Sequence, residues 1–221
     1  MIRLMRHRPQ VPSQTIRTMS EAALAERHED PLERLVAYFA GCSADRPIVV
    51  AFSGGVDSSV VAAVASDTGG SDRVTAVLFD TPLIADEDRI CADRIARERG
   101  LVFEVIDFDP LIIESVRYNR ADRCYRCKYA LMSILFETYP DAIVCDGTNS
   151  DDDPDRRPGM LALTELRVRS PLRACGLTKD EVRTAARRLG LSNAERPSMP
   201  CRAVSLPPDT LIDYAALPVG A

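Results

Sequence analysis

One stretch limits what this chain can become: Pro47-Ile48-Val49-Val50-Ala51-Phe52-Ser53-Gly54-Gly55-Val56-Asp57-Ser58-Ser59. Ile48 to Phe52 form an apolar run of strand length, suited to a parallel strand buried on both faces. Val60, Val61, Ala63 and Val64 then give the following segment an apolar helical side. Between them stand two glycines, which accept backbone angles and close approaches that a side chain would block. Main-chain N–H groups can converge on an anion there, and the helix start adds partial positive charge at the same point. A plain strand-to-helix turn has no need of hydroxyls at Ser53, Ser58 and Ser59 or of a carboxylate at Asp57. The stretch reads as a phosphate cradle built from Ser53, Gly54, Gly55, Asp57, Ser58 and Ser59. Asp57 is its candidate magnesium ligand, because hard cations choose oxygen. Neither the Gly-Lys-Ser/Thr of a Walker A loop nor a GxGxxG fingerprint is present.

The remaining pattern alternates strand and helix. A first helix is expected to begin at Ser20, and Asp30-Pro31 caps a second that runs from Leu32 to Ala40 and stops at Gly41. Val74 to Phe79 is a second buried strand. Asp86 to Arg99 is an amphipathic helix with Ile90, Cys91 and Ile95 inward and Gly100 as its stop. Leu101 to Ile106 and Ala142 to Cys145 are the third and fourth strands, with a helix over Tyr129 to Tyr139 between them, and Leu166 to Ser170 is a fifth strand. Thr178-Lys179-Asp180-Glu181 is a capping box for a helix that Gly190 closes, with Arg183, Arg187 and Arg188 as its solvated face.

This order predicts an α/β fold, a doubly wound parallel sheet of about five strands. Ligands in such sheets lie beyond the carboxyl ends of the strands, where strand order reverses. Gly147, in the Asp146-Gly147-Thr148-Asn149 turn after the fourth strand, therefore joins the nucleotide-binding candidates. The loop from Ser150 to Gly159 is too rich in aspartate and arginine for a simple connector. Asp151, Arg156 and Arg157 are its candidates for gripping a substrate.

A chain of 221 residues has room for one well-buried α/β domain and a small appendage. The net charge is −5, and residues 1–19 carry Arg3, Arg6, Arg8 and Arg17 with no acid, so the body is more acidic than the whole. Such a body is a poor partner for nucleic acid. No run approaches the roughly 18 apolar residues of a membrane span and no apolar leader core is present, so a cytoplasmic protein is expected.

Seven cysteines without a secretory segment argue for reduced thiols used for metal or chemistry. Cys91 and Cys145 read as core and Cys42 as idle. Cys124-Tyr125-Arg126-Cys127, just before a helix, and Cys201, between Pro200 and Arg202, sit in settings that suggest use. Thiolate is the strongest side-chain nucleophile, and Arg202 is expected to favour it at Cys201. A C-x-x-C pair equally fits a redox couple, half a zinc site or part of an iron–sulfur site. The only histidines, His7 and His28, lie before the domain.

The spacing at 53–59 resembles the SGGxDS signature of the PP-loop ATP pyrophosphatases, which hold the triphosphate of ATP and release pyrophosphate while AMP goes to the substrate. A closer resemblance is to the LarE-type ATP-dependent sacrificial sulfur transferases. It rests on SGGVDSS at 53–59, CYRCK at 124–128, DGTNSDD at 146–152 and RRPG at 156–159, then SPL at 170–172, GLTKDEVR at 176–183, ARRLGL at 186–191 and the proline–cysteine turn at 200–201.

The resemblance implies use of ATP and Mg²⁺, with a small-molecule nucleotide as acceptor. A carboxylate of a pyridinium dicarboxylate mononucleotide is adenylated, pyrophosphate leaves, and sulfur displaces AMP to give a thiocarboxylate for nickel-pincer cofactor synthesis. In one version Cys201 supplies the sulfur and is left as dehydroalanine. In another, Cys124, Cys127 and Cys201 hold a [4Fe-4S] cluster that carries an extra sulfide, and the presence of all three favours that version. The segment after the cysteine reads Cys201-Arg202-Ala203-Val204-Ser205 instead of the CLASR-like family segment. The sequence stops at Ala221, where members continue through a region that helps assemble oligomers. The expected organisation is a disordered basic leader over 1–19, an ATP-binding domain over 20–196 and a shortened cysteine-bearing segment over 197–221, with a homo-oligomer left open. Two alternatives are a cluster-dependent tRNA thiolation enzyme, disfavoured by the acidic body, and a nucleotide-binding protein without catalysis.

Overall fold

The central apolar run is strand β1 (Ile48–Ala51), flanked on both sides in a parallel sheet. With β2 (Val74–Asp80), β3 (Val102–Asp107) and β4 (Ile143–Cys145) the strand order is β3-β2-β1-β4. The computed structural model describes residues 30–42 and 45–217. The expected basic leader, the helix from Ser20, His7 and His28 lie outside the described residues.

Eight α-helices accompany these strands among the described residues: α1 (Pro31–Ala40), α2 (Val56–Gly69), α3 (Asp86–Arg99), α4 (Glu114–Arg117), α5 (Arg123–Thr138), α6 (Gly159–Glu165), α7 (Pro171–Ala174) and α8 (Lys179–Arg188). The two-residue period of β1 divides the core. Ile48 and Val50 pack with Leu35, Val60, Ile95 and Val182 on one face, and Val49 packs with Val77, Met132, Leu135 and Leu163 on the other. Helix α2 is buried from Ser58 through Ser66, because small and apolar residues occupy every side of it. Asp30 caps α1 by accepting the Leu32 N–H at 2.8 Å, and Thr178 with Glu181 closes the capping box of α8.

The chain runs outward through β1, β2 and β3, then returns to place β4 on the other side of β1. Strand order therefore reverses between β1 and β4. A third, smaller cluster of Leu83, Val116, Ala203, Ile212 and Leu217 fastens the segment after Cys201 beside the sheet. Backbone bonds from Arg202 N–H to Leu83 O at 3.0 Å and from Ile212 N–H to Arg117 O at 2.7 Å reinforce it. No described helix is long and apolar enough to cross a membrane.

Four sequence expectations need correction. The sheet has four strands rather than about five, because residues 166–170 are hemmed in: Leu166 caps α6, Arg167 takes a left-handed φ of 57° and Pro171 opens α7. Only Arg169 pairs there, in a single bridge to Cys145. Ile90 is 67% exposed, since the inward stripe of α3 is Cys91, Ala92, Ile95 and Ala96. The C-x-x-C pair lies within the first turns of α5, not before it. Arg183 is not on the solvated face, because its guanidinium donates to the backbone oxygens of Ala194 at 2.9 Å and Arg196 at 3.2 Å.

Candidate functional site

Two glycines allow the chain to close on itself at the switch point. Gly54 has a φ of +72°, and a Cβ there would stand 2.7 Å from the backbone nitrogen of Ala92 in α3. Gly147 brings the turn after β4 onto α2, where a Cβ would meet the Ser58 nitrogen at 2.8 Å. Asp146 braces that turn by accepting from Ser170 Oγ at 2.7 Å and from Thr148 Oγ1 at 2.5 Å.

The loop itself is tied by its hydroxyls. Ser58 Oγ accepts the Ser53 N–H at 3.2 Å and donates to Gly55 O at 3.1 Å, while Ser59 Oγ donates to the same carbonyl at 2.9 Å. Ser58 and Ser59 are therefore buried supports. Beyond the loop opens a cavity of about 390 Å³. Ser53, Gly55, Asp57 and Gly147 line it, and Gly54, Ser58 and Ser59 stand behind. Val77, Phe79, Leu131, Met132 and Leu163 form an apolar wall that suits a flat ring.

Asp57 is not a free carboxylate. Lys179 Nζ lies 2.5 Å from its Oδ2, and Asn149 Nδ2 donates to Oδ1 at 3.3 Å. Lys179 was missed by sequence reasoning, because a lysine in the first turn of a helix looks like surface. The capping box could have placed α8, but only the fold aims this side chain at residue 57.

The three substrate-loop candidates part company. Arg157 lines the cavity and pairs at 2.8 Å with Asp152, a buried carboxylate that the sequence did not single out. Asp151 instead accepts the Lys179 N–H at 2.7 Å and so steadies the start of α8. Arg156 points to solvent, its side chain 87% exposed beside Asp153. Lys128 and Arg196, also unpredicted, add two cations to the wall, and Arg196 is held by Asp88 at 2.7 Å.

Cys127 and Cys201 also line the cavity. Helical spacing puts Cys124 and Cys127 on one face of α5. Burial pushes the Cys127 thiol up to about 12, and the neighbouring Cys201 and Cys124 add to the rise. Cys201 has an exposed face, yet desolvation by the surrounding chain raises its thiol too, against the pull of Arg123 and Arg202. Arg202 favours the thiolate as expected, but desolvation outweighs it, and the Arg202 guanidinium is directed to Pro82 O at 3.1 Å and Leu217 O at 3.2 Å. Cys124 is exposed, and its sulfur accepts from Arg123 at 3.3 Å. Among the described residues no group of three or more His, Cys, Asp or Glu is arranged to hold a metal ion. Cys91 and Cys145 are buried as expected, and Cys91 Sγ also donates to Gly54 O at 3.4 Å.

Residues 28–123 match a family model described as NAD synthase. Pyridinium-3,5-bisthiocarboxylic acid mononucleotide synthase of Lactiplantibacillus plantarum is 36% identical over 149 residues, covering 66% of this chain and 54% of that protein. Over that span the chain is similar to the LarE-type branch of the PP-loop family. An uncharacterized protein of Synechocystis is 35% identical over 185 residues, covering 81% of this chain and 66% of that protein. The NMN synthetase structure from Francisella tularensis shares the fold, with a TM-score of 0.57 at 16% identity over 76% of this chain and 74% of that one. This chain thus spans between about half and two thirds of the two curated relatives, 54% and 66% of their lengths.

Proposed function

We propose that the protein is an ATP-dependent sulfur transferase that adenylates a carboxylate of a pyridinium dicarboxylate mononucleotide and replaces AMP with sulfur, for nickel-pincer cofactor synthesis. The observation that carries this reading is one cavity lined both by the glycine loop, through Ser53 and Gly55, and by the thiols of Cys127 and Cys201. The likeness to the mononucleotide synthase of Lactiplantibacillus plantarum supports the choice of acceptor.

Mg-ATP enters with its base against the apolar wall and its phosphates at the Ser53–Gly55 amides. The acceptor carboxylate attacks the α-phosphorus and pyrophosphate departs. Arg157 and Lys128 are placed to steady the anionic acceptor. Cys201 then loses its thiol proton to solvent at its exposed face, and its sulfur attacks the acyl carbon as AMP leaves. Removal of the Cys201 Cα proton breaks the Cβ–Sγ bond, giving a thiocarboxylate and a dehydroalanine at 201. A [4Fe-4S] cluster on Cys124, Cys127 and Cys201 that would carry the sulfide is the alternative route. The three thiols are not drawn to metal-holding spacing, so the donor set as it stands does not fit the cluster.

The test is incubation of the full chain with Mg-ATP and the pyridinium dicarboxylate mononucleotide. Pyrophosphate should appear, and the chain should lose the mass of hydrogen sulfide at Cys201. Pyrophosphate release with an unchanged chain mass rejects Cys201 as the sulfur source, and no pyrophosphate at all rejects the adenylation.

A further inference from the structure

Asn193 is 1% exposed, and its side-chain nitrogen donates to Gly54 O at 2.9 Å and to Ser59 Oγ at 2.9 Å. The orientation of the amide is dictated by its neighbours. Gly54 O can only accept, and the Ser59 hydroxyl already donates to Gly55 O. The Asn193 Oδ1 atom is left buried with no hydrogen-bond partner among the described residues. Packing alone does not call for an amide here, since an apolar side chain of similar size would leave no oxygen stranded.

The acceptor explains what the amide does. In a trans peptide the C=O of one residue and the N–H of the next point to opposite sides. Gly54 O is held on the protein side by Asn193 and, at 3.4 Å, by Cys91 Sγ. The Gly55 N–H is thereby turned toward Ser53 Oγ, 3.4 Å away, and Ser53 and Gly55 both line the cavity. A Gly-Gly pair can flip the intervening peptide at little steric cost. The flipped form would show a carbonyl, not an N–H, to an incoming phosphate.

We propose that Asn193 is a positioning residue that locks the Gly54–Gly55 peptide with its N–H toward the anion, a role that rests on reading the cavity as a phosphate site. The same short segment continues through Arg196, Pro197, Met199 and Pro200 along the cavity wall to Cys201. Arg183 staples it by bonding the Ala194 and Arg196 carbonyls. One segment thus sets the phosphate loop and carries the thiol.

The experiment uses full-length chain labelled with ¹⁵N-glycine and titrated with inorganic pyrophosphate. In the wild type the Gly55 amide should move downfield on binding. In Asn193→Ala its response should shrink and the affinity for pyrophosphate should fall roughly tenfold, the scale of one hydrogen bond to a charged group. The glycine signals outside the loop should stay in place. Equal affinity and an equal Gly55 response in a folded Asn193→Ala would overturn the proposal. Asn193→Ser, which keeps a small polar group, takes its place if the alanine variant does not fold. Movement of other loop amides in the wild type with Gly55 unmoved also overturns it. Loss of all amide responses in the wild type would instead remove the phosphate site on which the proposal rests.

Discussion

Lys179 and Asp57 form an ion pair of 2.5 Å, joining the first turn of α8 to the first turn of α2. Both side chains are about three quarters withdrawn from water, at 25% and 24% exposure, so each charge needs the other while the loop has no anion beside it. A magnesium–triphosphate offers each a new partner, phosphate oxygen for the ammonium and the hard cation for the carboxylate.

Lys179→Met should therefore weaken Mg-ATP binding by tenfold or more, as should Asp57→Asn. The double variant should lose less than the two losses added, with a coupling of about 0.5–3 kcal/mol. Isothermal titration of the four proteins closes the cycle. Strict additivity would mean that the two residues act on nucleotide binding independently of their pairing.

Arg157 and Arg156 are adjacent in sequence and opposite in expected effect. Arg157→Ala should raise the KM for the mononucleotide acceptor about tenfold, the scale of a charged hydrogen bond. Arg156→Ala should leave it within about twofold, as befits an exposed ion pair. Steady-state pyrophosphate release at varied acceptor concentration measures both.

Gly147→Ala places a methyl group 2.8 Å from the Ser58 nitrogen and 3.1 Å from Asp57 Cβ. The turn after β4 must then back away from α2. A loss of about 1–3 kcal/mol is expected from overpacking, read from denaturant midpoints, together with weaker ATP binding.

The Cys127 thiol, raised from an ordinary 9.0 to about 12, is neutral at physiological pH. Its alkylation by iodoacetamide should be slow at pH 8 and climb about tenfold per pH unit across the alkaline range, without a plateau near 9. The linked stability has the same origin. Folding favours the protonated thiol, so the contribution is full below about 9 and is lost as pH rises toward 12. Cys127→Ala should flatten that part of the melting-temperature profile. Peptide mass mapping follows the first effect and thermal scans the second.

The phosphate loop was legible because its demands are local: a strand, two glycines and a helix start leave few other conformations. The capping box at 178–181 was legible for the same reason. Lys179, Asn193 and Arg196 were not, since each reaches the site only through the packing of α8 and the segment after it against α2 and α3. The serine hydroxyls at 58 and 59 misled by their chemistry. They looked available for a ligand, but the Gly55 carbonyl needed donors and took both. Cys124 and Cys127 were placed before a helix because Tyr129 to Tyr139 looked like its whole extent, whereas α5 begins at Arg123. Leu166 to Ser170 had strand-like composition, but helices on both sides left length for only one bridge.

The small cluster of Leu83, Val116, Ala203, Ile212 and Leu217 is separate from the two cores that flank the sheet. Its disruption frees residues 202–217 without parting any strand, so this region constitutes its own cooperative unit with a smaller opening free energy than α2. Amide hydrogens at Ala203 and Ile212 should exchange with solvent sooner than those of Val60 to Val64, as hydrogen-exchange mass spectrometry can read. Cys201, next to this unit, should therefore be uncovered and closed again many times within the lifetime of the fold around β1 and α2.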